Sequence, residues 1–451
     1  MKNYNLNFSN SVFVLISITT LYILIYNIFH YNPILGYDGE AHFNYVNYVS
    51  RYLPNEIRLP SKIDTREYFS PPLGYLVPSI AQVICRNVID SNNFLLDCQP
   101  IYGKATQIFQ SFMYIATILV NLYTLKKFNK SDSFLNAGYL LLVSLFAVNY
   151  RTISMIRGEP YILFFLSLFL FIIYKAENDD YELNFKLIFS AGLTIACIVL
   201  SRQWGFLLLL PLVFLLFSQH SKKKYFLFWL YSSLIGALLS SWFYIGLYQK
   251  YGTFTAFNMK PERFSFANQE LSFYIPNIED LEYLFYKPIR PNLDNQFFSI
   301  LYSDLWGDYW GYFVFTSTNL DIGRNQLLIG SYLARVNFVS VITSLIIVTF
   351  YYLVLKKFKS NFLIKYLNFA IIFSFVGFLL FAIVFPTNGD TIKASYIIQA
   401  FHLMAFIASI YFYNLSKTNS KVYHLILFTL VTIYFHNFQS YLSHYPFNFL
   451  Q

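Results

Sequence analysis

The sequence predicts an all-α polytopic membrane protein, and three observations lead to that prediction. Apolar residues make up 56% of the 451-residue chain and charged residues only 12%, which is about half the charged share of an ordinary soluble domain. The apolar residues form runs about 20 residues long, the length of helix that crosses the hydrocarbon of a bilayer. Two of the polar segments between these runs are long, at residues 31–104 and 248–332. We therefore expect a single transmembrane domain over residues 1–451.

About eleven windows, within a range of roughly 9 to 13, satisfy the length and hydropathy of a membrane-spanning helix. They are residues 10–30, 105–125, 134–153, 159–174, 186–201, 204–218, 225–247, 333–355, 363–385, 395–414 and 422–437. The segment at 72–89 is either a twelfth span or a helix that lies in the interface. The first window lacks a small-residue cleavage site and is followed by many further spans, so we predict a retained helix rather than a signal peptide.

The distribution of lysine predicts the orientation of these spans. If the N-terminus is cytoplasmic, the short loops on the cytoplasmic side hold most of the lysines, as the positive-inside rule requires. These lysines are Lys126, Lys127, Lys130, Lys175, Lys186, Lys222, Lys223, Lys224, Lys356, Lys357, Lys359, Lys365, Lys417 and Lys421. Both long loops then lie on the extracytoplasmic side, and every arginine lies on that side or at that end of a span. Arginine binds phosphate through a planar, two-pronged donor group, so phosphate chemistry is one explanation. The greater length of the outer loops is the simpler one.

Composition and motifs exclude several classes of protein. We attribute the net charge of +9 to topology together with phosphate binding, and we find no basic tract that would predict a nucleic acid partner. The absence of a Walker loop disfavours an ATP-driven pump, and the absence of a visible internal repeat weakly disfavours a repeat-built carrier. Cys85 and Cys98 share the first outer loop, so they can form a disulfide in an oxidising compartment, whereas Cys197 lies in a predicted span.

Two carboxylates and an imidazole directly follow the first span, in the segment Gly36-Tyr37-Asp38-Gly39-Glu40-Ala41-His42. Acidic residues are costly near hydrocarbon, so acids at the mouth of a helical bundle are candidates for a functional site. A solvated loop, in which carboxylates cost nothing, is the alternative. His42 lies four residues after Asp38 and shares its face if the segment is helical. It either orients Asp38 or binds a divalent metal ion with Asp38 and Glu159.

Four further groups of residues lie on the predicted outer face. The first runs from Glu67 through Pro71-Pro72 to Tyr75, and a plain helix start also explains it. The second is Arg151 with the turn Arg157-Gly158-Glu159-Pro160. Capping of the next helix explains Glu159 there, but not the two arginines. The third is Arg202 in Ser201-Arg202-Gln203-Trp204-Gly205, for which harmless snorkelling to the interface is the alternative.

The fourth group, late in the second long loop, alternates acids with tryptophans. It consists of Asp304, Trp306, Asp308 and Trp310 within residues 304–311. A flat aromatic ring beside carboxylates can hold a sugar, with one face stacked and the hydroxyls hydrogen-bonded. Anchoring of tryptophan at the membrane interface is the alternative interpretation.

Together these residues resemble those of the C-type (GT-C) integral-membrane glycosyltransferases, the superfamily of the protein mannosyltransferases and the aminoarabinose transferases. The resemblance is carried by Asp38-x-Glu40, by Pro71-Pro72-Leu73 with Tyr75, by Arg157-x-Glu159-Pro160 and by Arg202 before Trp204-Gly205. The order of a long first outer loop, many short spans and a late long loop is also similar. The chain departs from many relatives by placing Gly39 between its acids and Ser70 before the proline pair.

The resemblance implies transfer of a sugar from a polyprenyl-phosphate donor to a hydroxyl of a lipid, glycan or protein acceptor. Asp38 is then the expected base, with Glu40 as the second choice, and Arg157, Arg202 and Lys393 are the expected phosphate-binding residues. Glu159, Asp304, Trp306, Asp308 and Trp310 are expected to bind the sugar or the acceptor. The cofactor is unknown, with a divalent metal ion at His42 as one option. Membrane lipids complete the expected partners.

Two other functions are also consistent with these residues. A transporter or flippase of a lipid-linked sugar would bind its substrate in a charged vestibule without chemistry. Acids and arginines deep within several spans would favour that function, whereas here they gather at one predicted face. A ligase or polymerase of surface glycans would share the donor lipid but attack a diphosphate. For all three we expect an integral protein of the plasma (inner) membrane with its site facing the periplasm or the exterior, or of the endoplasmic reticulum membrane in a eukaryote.

Overall fold

The computed structural model describes residues 2–89, 94–130, 136–218, 222–314, 322–387 and 389–443, and within these ranges the chain is helical and contains no strand. The α-helices in chain order are α1 (Lys2–His30), α2 (Gly39–Tyr52), α3 (Leu73–Val88), α4 (Phe94–Phe128), α5 (Ala137–Ser144), α6 (Ala147–Ser154), α7 (Glu159–Asn178), α8 (Phe185–Ser201), α9 (Leu210–Leu215), α10 (Lys222–Tyr251), α11 (Leu271–Tyr274), α12 (Ile278–Tyr286), α13 (Phe297–Trp306), α14 (Ile322–Lys357), α15 (Phe362–Val384), α16 (Ile398–Thr418) and α17 (Ser420–His436). Short 3₁₀ segments at Gln203–Leu208 and Ala394–Ile397 precede α9 and α16.

Seven helical segments in the described residues are long and apolar enough to cross a membrane. They are Phe8–His30, Asp97–Phe128, Glu159–Asn178, Lys222–Tyr251, Ile329–Lys357, Phe362–Val384 and Ala394–Thr418. The predicted class is therefore confirmed, but the predicted count of about eleven spans is not. The windows at 134–153, 186–201, 204–218 and 422–437 form helices of 17 residues or fewer, and about 20 residues are needed to span the hydrocarbon.

The window at 134–153 differs most from its prediction, because two short helices, α5 and α6, replace one span. Every residue of both helices is buried, so the apolar run faces protein rather than lipid. A backbone carbonyl near the break between them has a hydrogen-bond partner inside the protein, because the Asn149 side chain donates to the carbonyl oxygen of Val143 at 2.7 Å. Broken helices at membrane depth are tolerated where neighbouring protein supplies such partners.

The first long loop forms a small unit of its own beside the bundle. Helices α2 and α3 pack against the start of α4 around buried aromatic residues that include Tyr45, Tyr75 and Tyr102. A disulfide between Cys85 and Cys98 joins the end of α3 to α4, a pairing that the sequence allowed but left open, and Cys197 is a free thiol. The segment at 72–89 is thus the helix α3, too short for the set of candidate spans.

The lysine-rich helix ends meet at one end of the bundle. Lys224 at the start of α10 pairs with Asp180 beyond the end of α7 at 2.8 Å. The Tyr174 hydroxyl of α7 donates to the Lys127 carbonyl of α4 at 3.1 Å. The start of α7, the end of α8 and the start of α16 lie at the opposite end of the bundle. The turns that carry the predicted site residues belong to that second end.

Candidate active site

Three turns from distant parts of the sequence pack tightly at this second end of the bundle. They are residues 67–74, 157–159 and 201–203, and glycines permit their contact. A Cβ on Gly74 would lie 3.0 Å from the Gly158 Cα. A Cβ on Gly158 would lie only 2.2 Å from the carbonyl oxygen of Ser201, a distance that real Cβ atoms essentially never show. The absence of a side chain at Gly158 therefore brings the Arg157 and Arg202 turns together.

Arg202 connects these turns through its side chain. Its Nη2 donates to Glu159 Oε2 at 2.9 Å, and both side chains are buried. Its Nη1 donates to the Ser70 hydroxyl at 3.3 Å, and that hydroxyl donates in turn to Glu67 Oε2. The position predicted as a phosphate-binding arginine is thus a buried guanidinium between two acids, one paired directly and one through a hydroxyl. Its Nε, like Glu159 Oε1, is buried without a hydrogen-bond partner in the described residues.

Arg157 is held by backbone and by an aromatic ring instead of by an acid. Its Nη2 donates to the carbonyl oxygen of Tyr37, and its guanidinium carbon lies 5.0 Å from the centre of the Tyr37 ring. Within the described part of the chain no carboxylate lies at ion-pair distance from it. A buried arginine without a paired acid favours the binding of an anion, because an uncompensated buried charge is costly.

Asp38 and Lys393 form an ion pair beside Arg157, although 355 residues separate them in sequence. Lys393 Nζ lies 3.2 Å from Asp38 Oδ2, and the Asp38 side chain keeps 34% of its surface exposed. Burial acts to raise the pKa of Asp38, but the charges of Lys393 and Arg157 outweigh it and hold the pKa below its ordinary value. Asp38 is therefore an ionised carboxylate that an incoming group can reach.

Glu40 and His42 have different surroundings, although both lie in α2. Glu40 is exposed, and no described residue pairs with its carboxylate. His42 is buried, and its Nδ1 lies 2.7 Å from the Tyr75 hydroxyl. Burial and the nearby charges of Arg157, Arg202 and Lys393 hold its pKa well below the ordinary value, so the ring is neutral. The described residues contain no group of three or more acidic, cysteine or histidine side chains that would hold a metal ion.

A cavity of about 290 Å³ opens beside the two arginines. Its polar end is formed by Arg157, Arg202, Glu67, Ser70 and Gln203. The rest of the lining is mostly apolar and aromatic, and comprises Phe69, Pro71, Trp204, Phe206, Leu207, Thr255, Ala256, Phe257, Gly377, Phe381, Phe385 and Tyr396. The cavity can therefore hold an amphipathic molecule that has an anionic head and a hydrocarbon body.

The acids of the second long loop are placed differently from that cavity. Arg151 Nη2 contacts Asp304 Oδ1 at 2.7 Å, and Arg151 Nη1 contacts Asp308 Oδ1 at 3.3 Å, with all three side chains buried. Asp308 also accepts hydrogen bonds from the backbone amides of Phe313 and Val314. Burial raises the pKa of Asp304 to about 6 against the opposing charge of Arg151. Both acids already have protein partners, so the structure does not bring them to the cavity.

The two tryptophans of that loop lie in different surroundings. Trp306 is buried and lines a second, apolar cavity of about 350 Å³ with residues such as Phe146 and Phe401. Trp310 donates from its ring nitrogen to the Ile392 carbonyl at 3.2 Å, and Lys393 Nζ lies 5.8 Å from the centre of its ring. Trp310 thus stands beside the pair formed by Asp38 and Lys393, whereas Trp306 does not.

Sequence reasoning missed two parts of this site. Glu67 begins one of the four groups on the predicted outer face but received no role of its own, and it lines the cavity. The apolar wall from Thr255, Ala256 and Phe257 and from the end of α15 was missed altogether. Aromatic residues at a membrane interface are common, so nothing in the sequence distinguishes these from ordinary lipid-facing ones.

Comparison with known proteins does not assign the chain to a family. No model of a protein family matches it, and no curated protein does either. The function of the chain must therefore be inferred from the geometry of the cavity and from the charges around it.

Proposed function

We propose that the chain is a membrane glycosyltransferase that moves a sugar from a polyprenyl-phosphate donor to an acceptor hydroxyl on the extracytoplasmic side. The observation that carries the proposal is the cavity, which places two guanidinium groups, those of Arg157 and Arg202, at the end of a mostly aromatic wall. A lipid phosphate has the complementary shape and charge. Arginine suits such a ligand because its planar group donates two hydrogen bonds to phosphate oxygens.

The reaction needs a base and a stabilised leaving group. The acceptor oxygen forms a bond to the anomeric carbon while its proton passes to the Asp38 carboxylate. The bond from the anomeric carbon to the phosphate oxygen breaks, and the lipid phosphate keeps the electron pair. Negative charge develops on the phosphate as it departs. Fixed positive charge at Arg157 and Arg202 therefore stabilises the departing phosphate more strongly than the bound donor. Lys393 holds Asp38 ionised and adds positive charge near the same place.

The sidedness in this proposal has two supports. The disulfide between Cys85 and Cys98 lies in the first long loop, and disulfides form and persist mainly in oxidising compartments outside the cytoplasm. The lysine-rich helix ends lie at the other end of the bundle, as the positive-inside rule predicts for the cytoplasmic side. Together they favour a site that faces the exterior, the periplasm or the lumen of the endoplasmic reticulum.

Labelling with a membrane-impermeant thiol reagent tests this orientation. In a Cys197→Ser background, Ile63→Cys and Ile278→Cys should react in intact cells or sealed vesicles of the correct orientation, since both positions are highly exposed in the two long loops. Lys223→Cys and Lys359→Cys should react only after the membrane is permeabilised. The opposite pattern would place Asp38 and Arg202 in the cytoplasm and reject a donor presented outside.

Occupation of the cavity by lipid can be tested without any knowledge of the sugar. Ala256→Trp places an indole in the lining of the cavity while every charged residue of the site is kept. We expect this variant to lose most of the polyprenyl phosphate that copurifies with the wild-type protein, as measured by lipid mass spectrometry. Ala267→Trp, at an exposed position outside the cavity, is the matched control. Equal amounts of polyprenyl phosphate in both variants would contradict the assignment of the cavity.

A further inference from the structure

Glu67 contributes a carboxylate to the lining of the cavity, and the reaction proposed above gives it no role. Its side chain is buried, with 6% of the residue exposed. One oxygen, Oε2, accepts a hydrogen bond from the Ser70 hydroxyl. Among the described residues no cation lies at ion-pair distance from this carboxylate. A buried carboxylate whose direct partner is a hydroxyl and not a cation keeps lone pairs that can accept further hydrogen bonds, so Glu67 is a candidate for binding a ligand.

The backbone around Glu67 is fixed from several sides. Its amide donates to the Thr65 hydroxyl at 3.2 Å, and that hydroxyl donates to the Ala41 carbonyl of α2 at 2.6 Å. Farther along the turn, Gln203 donates from its side chain to the Phe69 carbonyl at 2.7 Å. The carboxylate is therefore held in place before any ligand arrives, as a binding group requires.

The contacts of Ser70 place Glu67 close to the expected phosphate. The same hydroxyl that donates to Glu67 accepts a hydrogen bond from Arg202 Nη1 at 3.3 Å, so a single hydroxyl separates the carboxylate from the guanidinium. A sugar joined to a phosphate at Arg202 must lie within a few bonds of that phosphate. Glu67 repels the phosphate itself, whereas it attracts the hydroxyls of a sugar, which are hydrogen-bond donors.

We propose that Glu67 accepts a hydrogen bond from a hydroxyl of the donor sugar and thereby selects the glycosylated lipid phosphate over the bare lipid phosphate. This inference rests on the proposed function. It makes Glu67 a specificity residue, distinct from the base Asp38 and from the arginines that hold the phosphate. It also predicts the class of sugar. The ring is neutral and hydroxylated, and a uronic acid is excluded because its carboxylate would lie beside that of Glu67.

The test measures two affinities for the purified full-length protein. The probes are a bare polyprenyl phosphate and the same lipid carrying glucose, mannose, arabinose or glucuronic acid, and binding is measured by native mass spectrometry in detergent. The wild-type protein should prefer at least one neutral glycoside over the bare lipid. In Glu67→Gln, which keeps size and shape, this preference should fall by roughly tenfold or more, the scale of a lost hydrogen bond to a charged group. The affinity for the bare lipid should not fall.

The outcomes distinguish this inference from the proposed function. Glu56→Gln, which alters an exposed acid of the same loop, should behave as the wild type. An unchanged preference in Glu67→Gln, tighter binding of the glucuronic acid lipid than of the neutral ones, or no preference in the wild type would each overturn the role of Glu67 alone. If bare polyprenyl phosphate fails to bind, or binds equally to Arg202→Ala, the proposed function falls and the role of Glu67 falls with it.

Discussion

Replacement of Arg202 by alanine should severely reduce sugar transfer, and replacement by lysine should reduce it less. Lysine keeps the charge but loses the planar fork, whereas alanine removes both. If Arg202 contributes as one oxyanion-type contact does, alanine should cost about 2–4 kcal/mol of transition-state stabilisation, measured from kcat/KM with a polyprenyl-phosphate sugar. An arginine that only snorkels to the interface should tolerate lysine fully. The graded series therefore separates the two interpretations.

The pairing of Arg202 with buried Glu159 requires a control. Removal of one member of a buried ion pair leaves an uncompensated charge and lowers stability, so the amount of folded protein in the membrane must be measured for each variant. The double variant Arg202→Ala with Glu159→Gln removes that charge and should remain inactive. Arg263→Ala, at an exposed position, should retain wild-type activity. Full activity in Arg202→Ala at normal expression would reject the phosphate role and make Lys393 the next residue to replace.

Replacement of Asp38 by asparagine should lower turnover by roughly 10²-fold or more, the usual contribution of a general base. Asparagine is nearly the same size but does not take up the acceptor proton. Because Lys393 and Arg157 hold the pKa of Asp38 below its ordinary value, wild-type activity should persist to acidic pH and fall only as that carboxylate becomes protonated. Folding and donor binding should survive in the variant, as measured by expression and by copurifying lipid.

Glu40→Gln is the matched control for Asp38→Asn. Glu40 lies two residues away and is exposed without an acidic or basic partner in the described residues, so its replacement should leave turnover near the wild-type value. Loss of activity in Glu40→Gln alone would transfer the role of base to that residue. Wild-type turnover in both variants would show that neither acid is the base and would reject this placement of the active site.

The extent to which the site was predictable differs from residue to residue. Asp38, Arg157 and Arg202 are charged residues at the ends of apolar runs, where a charge needs a reason. Both arginines line one cavity, and Asp38 lies close enough to Arg157 for that charge to lower its pKa. Asp304 and Asp308 met the same criterion, yet they pair with Arg151. Sequence alone does not separate an acid that meets a ligand from an acid that meets an arginine of the same protein.

The sequence by itself determined that this protein is helical with several long apolar helices, and it predicts their orientation. Backbone groups inside a bilayer must satisfy one another, so long apolar runs become helices wherever they lie, and lysine placement depends only on local loops. The tertiary structure alone decided which helix ends meet. The contact of Asp38 with Lys393, the split of residues 134–153 into two buried helices and the aromatic wall of the cavity all depend on packing between distant segments. Hydropathy records the preference of each residue for lipid or water, and it carries no information about which neighbour a buried residue will have.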